Sequence, residues 1–259
     1  QQAAQGVGRS VQAMLLLRPL PAPDEVMANL NALDVGAVGV VGFVNSDREF
    51  IQGLSVRIPC VLFNKTIPGV ALPYCAPDMG VAARQMAEYF ASRGRRRIGL
   101  VTLSPEHSLQ AELAVALESE MHRLGLPIDK RLWFHEPDYA DDHTAMRRWI
   151  EGMLARPDRA DALIVPLREA AQAAQNAIER QGGRLGVMAD LVTLFSGVDA
   201  RRQADPWPLM ALNYADAAVP AARHLVGLLA EDADTQASPV WKSSPQLVMP
   251  EGMEKERSA

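Results

Sequence analysis

Cysteine is scarce. The 259 residues contain two, Cys60 and Cys75, too few for the disulfide framework that holds small secreted domains together. A chain of this length buries enough apolar surface to fold without such staples. No apolar run approaches the ~18 residues that cross a bilayer, so no membrane role is expected. Residues 1–10 lack the charged-then-apolar layout of a secretion signal, and there is no initiator Met. The expectation is a fragment of a cytoplasmic protein. An excess of basic charge is also missing: Lys and Arg total 26 against 31 Asp and Glu, a net charge of −5. That balance argues against holding DNA through a broad basic face.

Catalytic signatures are absent too. The sequence has no GxSxG, HExxH, GxxxxGK[ST] or CxxC, so the common nucleophile, zinc and phosphate-loop sites are not predicted. Gly36, Gly39 and Gly42 imitate a dinucleotide fingerprint. They lie before and within a strand instead of between strand and helix, which fails the context test; small residues in a crowded strand are the simpler reading. The five histidines are scattered. His122 and His224 fall within helices. His135 and Glu136 follow a strand, and an acid–base pair or metal site there is the alternative to ordinary polarity. Asp138, Asp141 and Asp142 read as a solvated loop and helix start. Arg93, Arg95, Arg96 and Arg97 read as the cationic end of a helix, where positive charge is favoured.

What is present is an α/β alternation. Hydrophobic residues make up 48% and charged residues 22%, a globular profile sized for one large domain or two modest ones. Apolar runs predict strands at 11–17, 37–44, 59–63, 98–103, 132–134, 162–165, 191–195 and 246–249. Between them, 3.6-residue periodicity predicts helices at 24–33, 49–54, 78–93, 109–124, 144–154, 169–180 and 214–230. Asp24 and Asp78 are the expected N-caps, and Gly94, Gly125 and Gly182 the expected stops. Strands of low charge alternating with helices imply parallel sheets covered on both faces. Ligands of such sheets bind beyond the carboxyl ends of the strands, so the residues just after each strand are the functional candidates.

One stretch carries a resemblance. IPCVLFNKTIPGVALPYCAPDMGVAARQMAEYFASRGRRRIGLVT, Ile58–Thr102, is similar to the effector-binding core of the LacI/GalR family of bacterial transcription regulators. Asn64-Lys65 stands where the family has Asn-Arg after an "IPVVL" strand. Asp78 matches the Asp that opens a helix after the next strand, and Gly94–Gly99 (GRRRIG) matches the run into a "RIGLI" strand. Upstream, Asp34–Gly42 resembles "VDGIILVG". Downstream, AVALESEMHRLGLPID, DALIVPLREAAQAAQNAIERQG and the stretch around Pro206–Leu209 follow the family pattern more loosely. The resemblance implies a periplasmic-binding-protein-like type I fold, α/β with two side-by-side parallel-sheet subdomains. The expected division is 1–103, 104–235 and a return segment with tail at 236–259, the late chain crossing back into the first subdomain. It further implies a homodimer, a small effector between the subdomains, and operator DNA bound through a helix-turn-helix headpiece that is not in this chain. The family's first strand and most of its first helix are expected to be missing.

The departures fall where the family touches its ligand. The family Arg of the helix after the "RIGLI" strand is Leu109 here. The family Asn-Asp after the "DAIF" strand is Leu167-Arg168, and "GFDD" becomes Phe195-Ser196-Gly197-Val198. Arg168 sits at a helix N-terminus, where a cation is disfavoured by roughly 0.3–1 kcal/mol unless an anion lies beside it. Two readings stay open. Arg168 anchors the carboxylate or phosphate of an anionic or partly apolar effector, with Phe43, Leu109, Phe134 and Phe195 as apolar wall. Alternatively it pairs with Glu169 or an acid across a dimer, and the site is degenerate. Asn45, Ser46, Ser104 and His107 are further ligand candidates from the strand ends, with Ser108 beside them. Trp207 either closes the pocket or caps the core.

The function expected is a regulator's sensing and dimerisation domain, taking a sugar, sugar acid or other anion, with no cofactor and no metal. A solute-binding protein of a transport system is the alternative on the same fold. An enzyme using His135 or His107 is the third, and no nucleophile or orienting acid is arranged around either.

Overall fold

The computed structural model describes residues 14, 16, 20–42, 44–104, 106–136, 143–195, 205–229 and 238–250. In chain order the elements are α1 (Pro23–Ala32), β1 (Val38–Val40), α2 (Arg48–Ser55), β2 (Cys60–Phe63), β3 (Tyr74–Pro77), α3 (Met79–Ser92), β4 (Ile98–Thr102) and α4 (Ser108–Arg123). There follow β5 (Trp133–His135), α5 (Thr144–Leu154), β6 (Ala162–Val165), α6 (Arg168–Arg180), β7 (Asp190–Phe195), β8 (Leu209–Ala211), α7 (Tyr214–Gly227), β9 (Val240–Ser243) and β10 (Gln246–Val248). The expected strand at 11–17 lies, apart from residues 14 and 16, outside the described residues. So do Asp138, Asp141, Asp142 and the tail after Pro250.

The chain divides into two compact units, one of residues 1–77 with 214–243, the other of 78–213 with 244–259. This moves the expected boundary from 103 to 77. The reason is pairing: β4 lies between β6 and β5 in the second unit's sheet, so α3 and β4 cannot belong to the first. The late chain returns to the first unit at Tyr214, earlier than the expected return segment at 236.

In the first unit the described strands run β1-β2-β3-β9, all parallel. One apolar cluster joins Val26 and Leu30 of α1 and Phe50, Ile51 and Leu54 of α2 to Val40, Cys60 and Leu62 of the sheet. The other joins Ala217 and Ala221 of α7 to Val61 and Cys75. Alternate residues of β2 therefore face opposite layers, as the two-residue strand period requires. The glycine-rich run has a packing cause. A Cβ on Gly39 would lie 3.0 Å from the Phe63 ring, and one on Gly36 would lie 2.6 Å from Leu229. Gly42 adopts φ +79°, which only glycine takes readily, and β1 stops at Val40 short of the expected Val44. Asp24 is not a cap: the helix begins at Pro23 with Ala22 before it, and Asp24 pairs with Arg57 instead.

The second unit carries β10-β8-β7-β6-β4-β5. All pairs are parallel except β10 against β8. Asp78 caps α3, its Oδ1 accepting from the backbone N–H of Gly80 at 3.0 Å and of Val81 at 3.2 Å. The arginine run at 93–97 serves the fold. Asp190, 2% exposed, accepts from Nε of Arg93 at 2.8 Å and Nε of Arg95 at 2.6 Å. Asp161 accepts from the backbone N–H of Arg96 and Arg97. Those contacts fix the amino-terminal edge of β4, β6 and β7, leaving the carboxyl ends for function.

Candidate functional site

The carboxyl ends of β2 and β3 meet the start of α7 within the first unit. Asn64 ends β2 in the left-handed region, φ +64°, which asparagine tolerates better than most side chains. Its backbone N–H donates to the Cys75 carbonyl at 2.7 Å. Tyr214 opens α7, and its phenol shares a hydrogen bond with the Asn64 side chain. Burial pushes the Tyr214 phenol up, and that hydrogen bond partly offsets the shift. Burial also raises the Cys75 thiol, partly offset by the Asn64 backbone. A hollow of about 200 Å³ opens here, lined by Phe63, Asn64, Cys75, Ala76, Tyr214, Ala217 and Ala218.

None of the ten residues expected to bind ligand lines this hollow. Asn64 and Tyr214 escaped the sequence reading although both sit where the strand-end rule points, one just after β2 and one at the first residue of the last helix. One wall of the hollow, the short β3, was not legible as an apolar run. Tyr74–Pro77 contains a proline and a polar-tipped ring, and apolar-run counting passes over it.

The first-unit candidates occupy the turn after β1. Asn45 has a buried Oδ1 without a hydrogen-bond partner among the described residues, while Ser46 is exposed. Phe43 lies outside the described residues.

The second unit holds the other seven. Ser104 follows β4, is buried, and accepts at Oγ from the Glu106 backbone N–H at 3.3 Å. His107 precedes α4 and donates its backbone N–H to the Ser104 carbonyl at 3.0 Å. Leu109 is half-buried in the first turn of α4. Phe134 stacks on Trp149 with ring centroids 5.3 Å apart. Phe195 ends β7, and its side chain is outside the described residues. Trp207 is 2% exposed, a core position, and its Nε1 has no partner among the described residues.

Arg168 opens α6 and is paired with Asp205 at 2.7 Å; the side chains are 63% and 4% exposed. Asp205 supplies the anion that a cation at a helix N-terminus requires. Within this chain the acid is thus Asp205 and not Glu169. The second carboxylate oxygen, Oδ2, is buried and has no hydrogen-bond partner among the described residues.

His135 and Glu136 do not pair with each other. His135 Nδ1 lies 2.5 Å from Thr102 Oγ1. Glu136, 1% exposed, lies 2.9 Å from His143 Nδ1. Burial, then the charge of Lys130, lowers the His135 pKa. Among the described residues, no group of three or more His, Cys, Asp or Glu side chains is placed to hold a metal ion. No helix among them is long and apolar enough to cross a membrane.

The sequence profile of the periplasmic binding protein-like domain matches residues 87–249, more than half of the chain. The chain belongs to that family. No curated protein matches it. Solved structures show where the periplasmic binding protein-like domain of this chain finds its fold. A regulatory protein of the LacI family from Chloroflexus aggregans superposes with a TM-score of 0.82 at 17% identity, covering 96% of this chain and 88% of that one. A LacI transcriptional regulator from Bacillus cereus subsp. cytotoxis NVH 391-98 gives 0.80 at 15%, covering 96% and 87%. The complex of the transcriptional regulator CelR with cellobiose gives 0.71 at 18%, covering 88% and 68%. The α/β, periplasmic-binding-protein-like architecture implied by the sequence resemblance is the one these regulators share.

Proposed function

We propose that this periplasmic binding protein-like domain senses a small effector for a LacI-type transcriptional regulator. The observation that supports it best is the match over 96% of the chain to a LacI-family regulatory protein. The effector binds beyond the carboxyl ends of the parallel strands. Its occupancy shifts a population between two arrangements and reaches operator DNA through a headpiece outside these residues. The regulator works in the cytoplasm as a homodimer and breaks no bond.

The Arg168–Asp205 pair bears on the effector's charge. An anion that took Arg168 for itself would leave the buried Asp205 carboxylate without that counter-charge. A ligand that shares the guanidinium with Asp205 avoids that loss. The ligand candidates Asn45, Ser46, Ser104 and His107 offer hydrogen-bonding groups for the polar part of the effector.

The test uses the full-length gene product. Its affinity for DNA upstream of its own gene is measured with and without sugars, sugar acids and nucleotides, alongside thermal-shift screening. One class should stabilise the protein and change DNA affinity. Stabilisation without any effect on DNA would move the protein to the solute-binding alternative. If Arg168→Ala binds an anionic hit as tightly as wild type does, Arg168 is no anchor.

A further inference from the structure

We infer that the hollow in the first unit receives a compact apolar group of the effector, an aromatic or cyclic alkyl ring, and not a polyol. The inference rests on the ligand-sensing reading and narrows the chemistry of its guest.

The lining residues carry the argument. Cys75, Ala76 and Ala217 are buried walls of thiol and methyl, and Phe63 and Ala218 are half-buried beside them. No lining residue is charged at neutral pH. Two bring neutral polar side chains, Asn64 and Tyr214, and these hydrogen-bond to each other. A polyol, with a hydroxyl on nearly every carbon, would bring more hydroxyls into the hollow than its two polar side chains can partner. Each hydroxyl left unpaired there loses the hydrogen bonds it made to water. A ring surrenders no hydrogen bond, gains the release of water from apolar surface, and meets the faces or edges of Phe63 and Tyr214 in the offset or tilted contacts aromatic pairs prefer.

Size points the same way. A volume of about 200 Å³ falls below the roughly 300–1,000 Å³ of complete small-molecule sites. It exceeds the ~150 Å³ apolar cavity that takes up benzene. The hollow therefore fits one ring of a larger ligand. The rim amide of Asn64 and phenol of Tyr214 stand where the ring's attached polar group would leave the hollow.

Benzyl alcohol and cyclohexanol serve as ring probes, glucose and gluconate as polyol probes, all on the full-length protein. The ring probes should raise the melting temperature saturably and shift the NMR resonances of Tyr214 and Ala218, and the polyols should leave those two resonances in place. Ala218→Phe fills the hollow from a half-buried helix position. It should weaken ring binding by about tenfold or more, since an occupied volume admits no second ring. Its own melting temperature, measured without probe, shows that it folds. Should it unfold, the smaller Ala218→Leu takes its place. Ring probes that leave Tyr214 unmoved, or bind Ala218→Phe as well as wild type, overturn the inference. So do polyols that displace the ring probes from Tyr214. DNA release by a sugar with Tyr214 unmoved would overturn this inference while sparing the sensing reading. Ring binding at Tyr214 with no effect of any ligand on DNA would do the reverse.

Discussion

The two units use the same parallel grammar and hold it together by different means. In the second unit, carboxylates bind arginines at the sheet's amino-terminal edge. One buried Asp190 serves both Arg93 and Arg95. In the first unit the ion pair Asp24–Arg57 is surface-exposed, and close apolar approach at Gly36 and Gly39 does the corresponding work. Titration follows the same divide. Burial raises Cys60, Cys75 and Tyr214 in the first unit. Arginine partners lower Glu120, Asp129 and Asp158 in the second. The hollow beside α7 lies in the first unit.

The sharpest test of this contrast removes one acid from each unit. Asp190→Ala strands two arginines and should destabilise the second unit by about 3 kcal/mol, the scale of a broken buried pair. Asp24→Ala should lose less than about 1 kcal/mol, as exposed pairs do. Urea unfolding followed by hydrogen exchange in each unit reads both. Equal losses would erase the distinction.

Next come the strand glycines. A Cβ at Gly99 would lie 2.8 Å from Leu163, 3.1 Å from Ala160 Cβ and 3.2 Å from the Leu132 carbonyl. The backbone cannot yield, so Gly99→Ala should cost about 2 kcal/mol, within the range for overpacking. At Gly39 the obstruction is the Phe63 ring, which borders the hollow and has space to turn. Gly39→Ala should cost about 1 kcal/mol or less, and ring probes should then compete with the displaced Phe63.

pH offers a third comparison. Cys60 is pushed from an ordinary 9.0 to about 12 by burial. Below the unfolded value both states hold the proton and stability is unaffected. As pH rises above about 9 only the unfolded chain ionises, so stability drops by about 1.4 kcal/mol per pH unit until about 12. The first unit should open first in alkali, seen as thiol labelling of Cys60 coinciding with loss of exchange protection there.

The smallest effect is at the acid end. Arg131 holds Asp129 down at about 2. Its contribution is complete above the unfolded value of 3.8 and fades as pH falls toward 2. Solvent screening keeps it slight. In Arg131→Ala the Asp129 NMR titration should move up toward the ordinary range, still held partly down by the backbone N–H of residue 131.

Much of the architecture could be read from residue order because long elements announce themselves by period. The helix capped by Asp78 and stopped at Gly94 is the clearest case. Among the short strands, β2 and β6 stood out as unbroken apolar runs, whereas β3 holds Pro77 and β9 holds Lys242 and Ser243, and neither was legible as an apolar run. Their strand state comes from neighbours far along the chain: β9 pairs with β3 from Tyr74↔Val240 to Pro77↔Ser243. The site was less legible for the same reason. Arg168's need for an anion was visible from helix electrostatics, but Asp205 as its source is a tertiary fact. The hollow beside Tyr214 likewise exists only once α7 has come back onto β2 and β3.

That return has a consequence for synthesis. The first unit needs α7 and β9, and these follow the whole run from β4 to β8. A nascent chain halted at Asn213 holds β3 with one edge open and the Val61–Cys75 face bare, while the strands of its neighbour, all but β10, have been made. Unpaired edges and bare apolar faces are where folding intermediates stick to one another. The interval in which the ribosome adds residues 214–243 is therefore when this polypeptide most needs a chaperone.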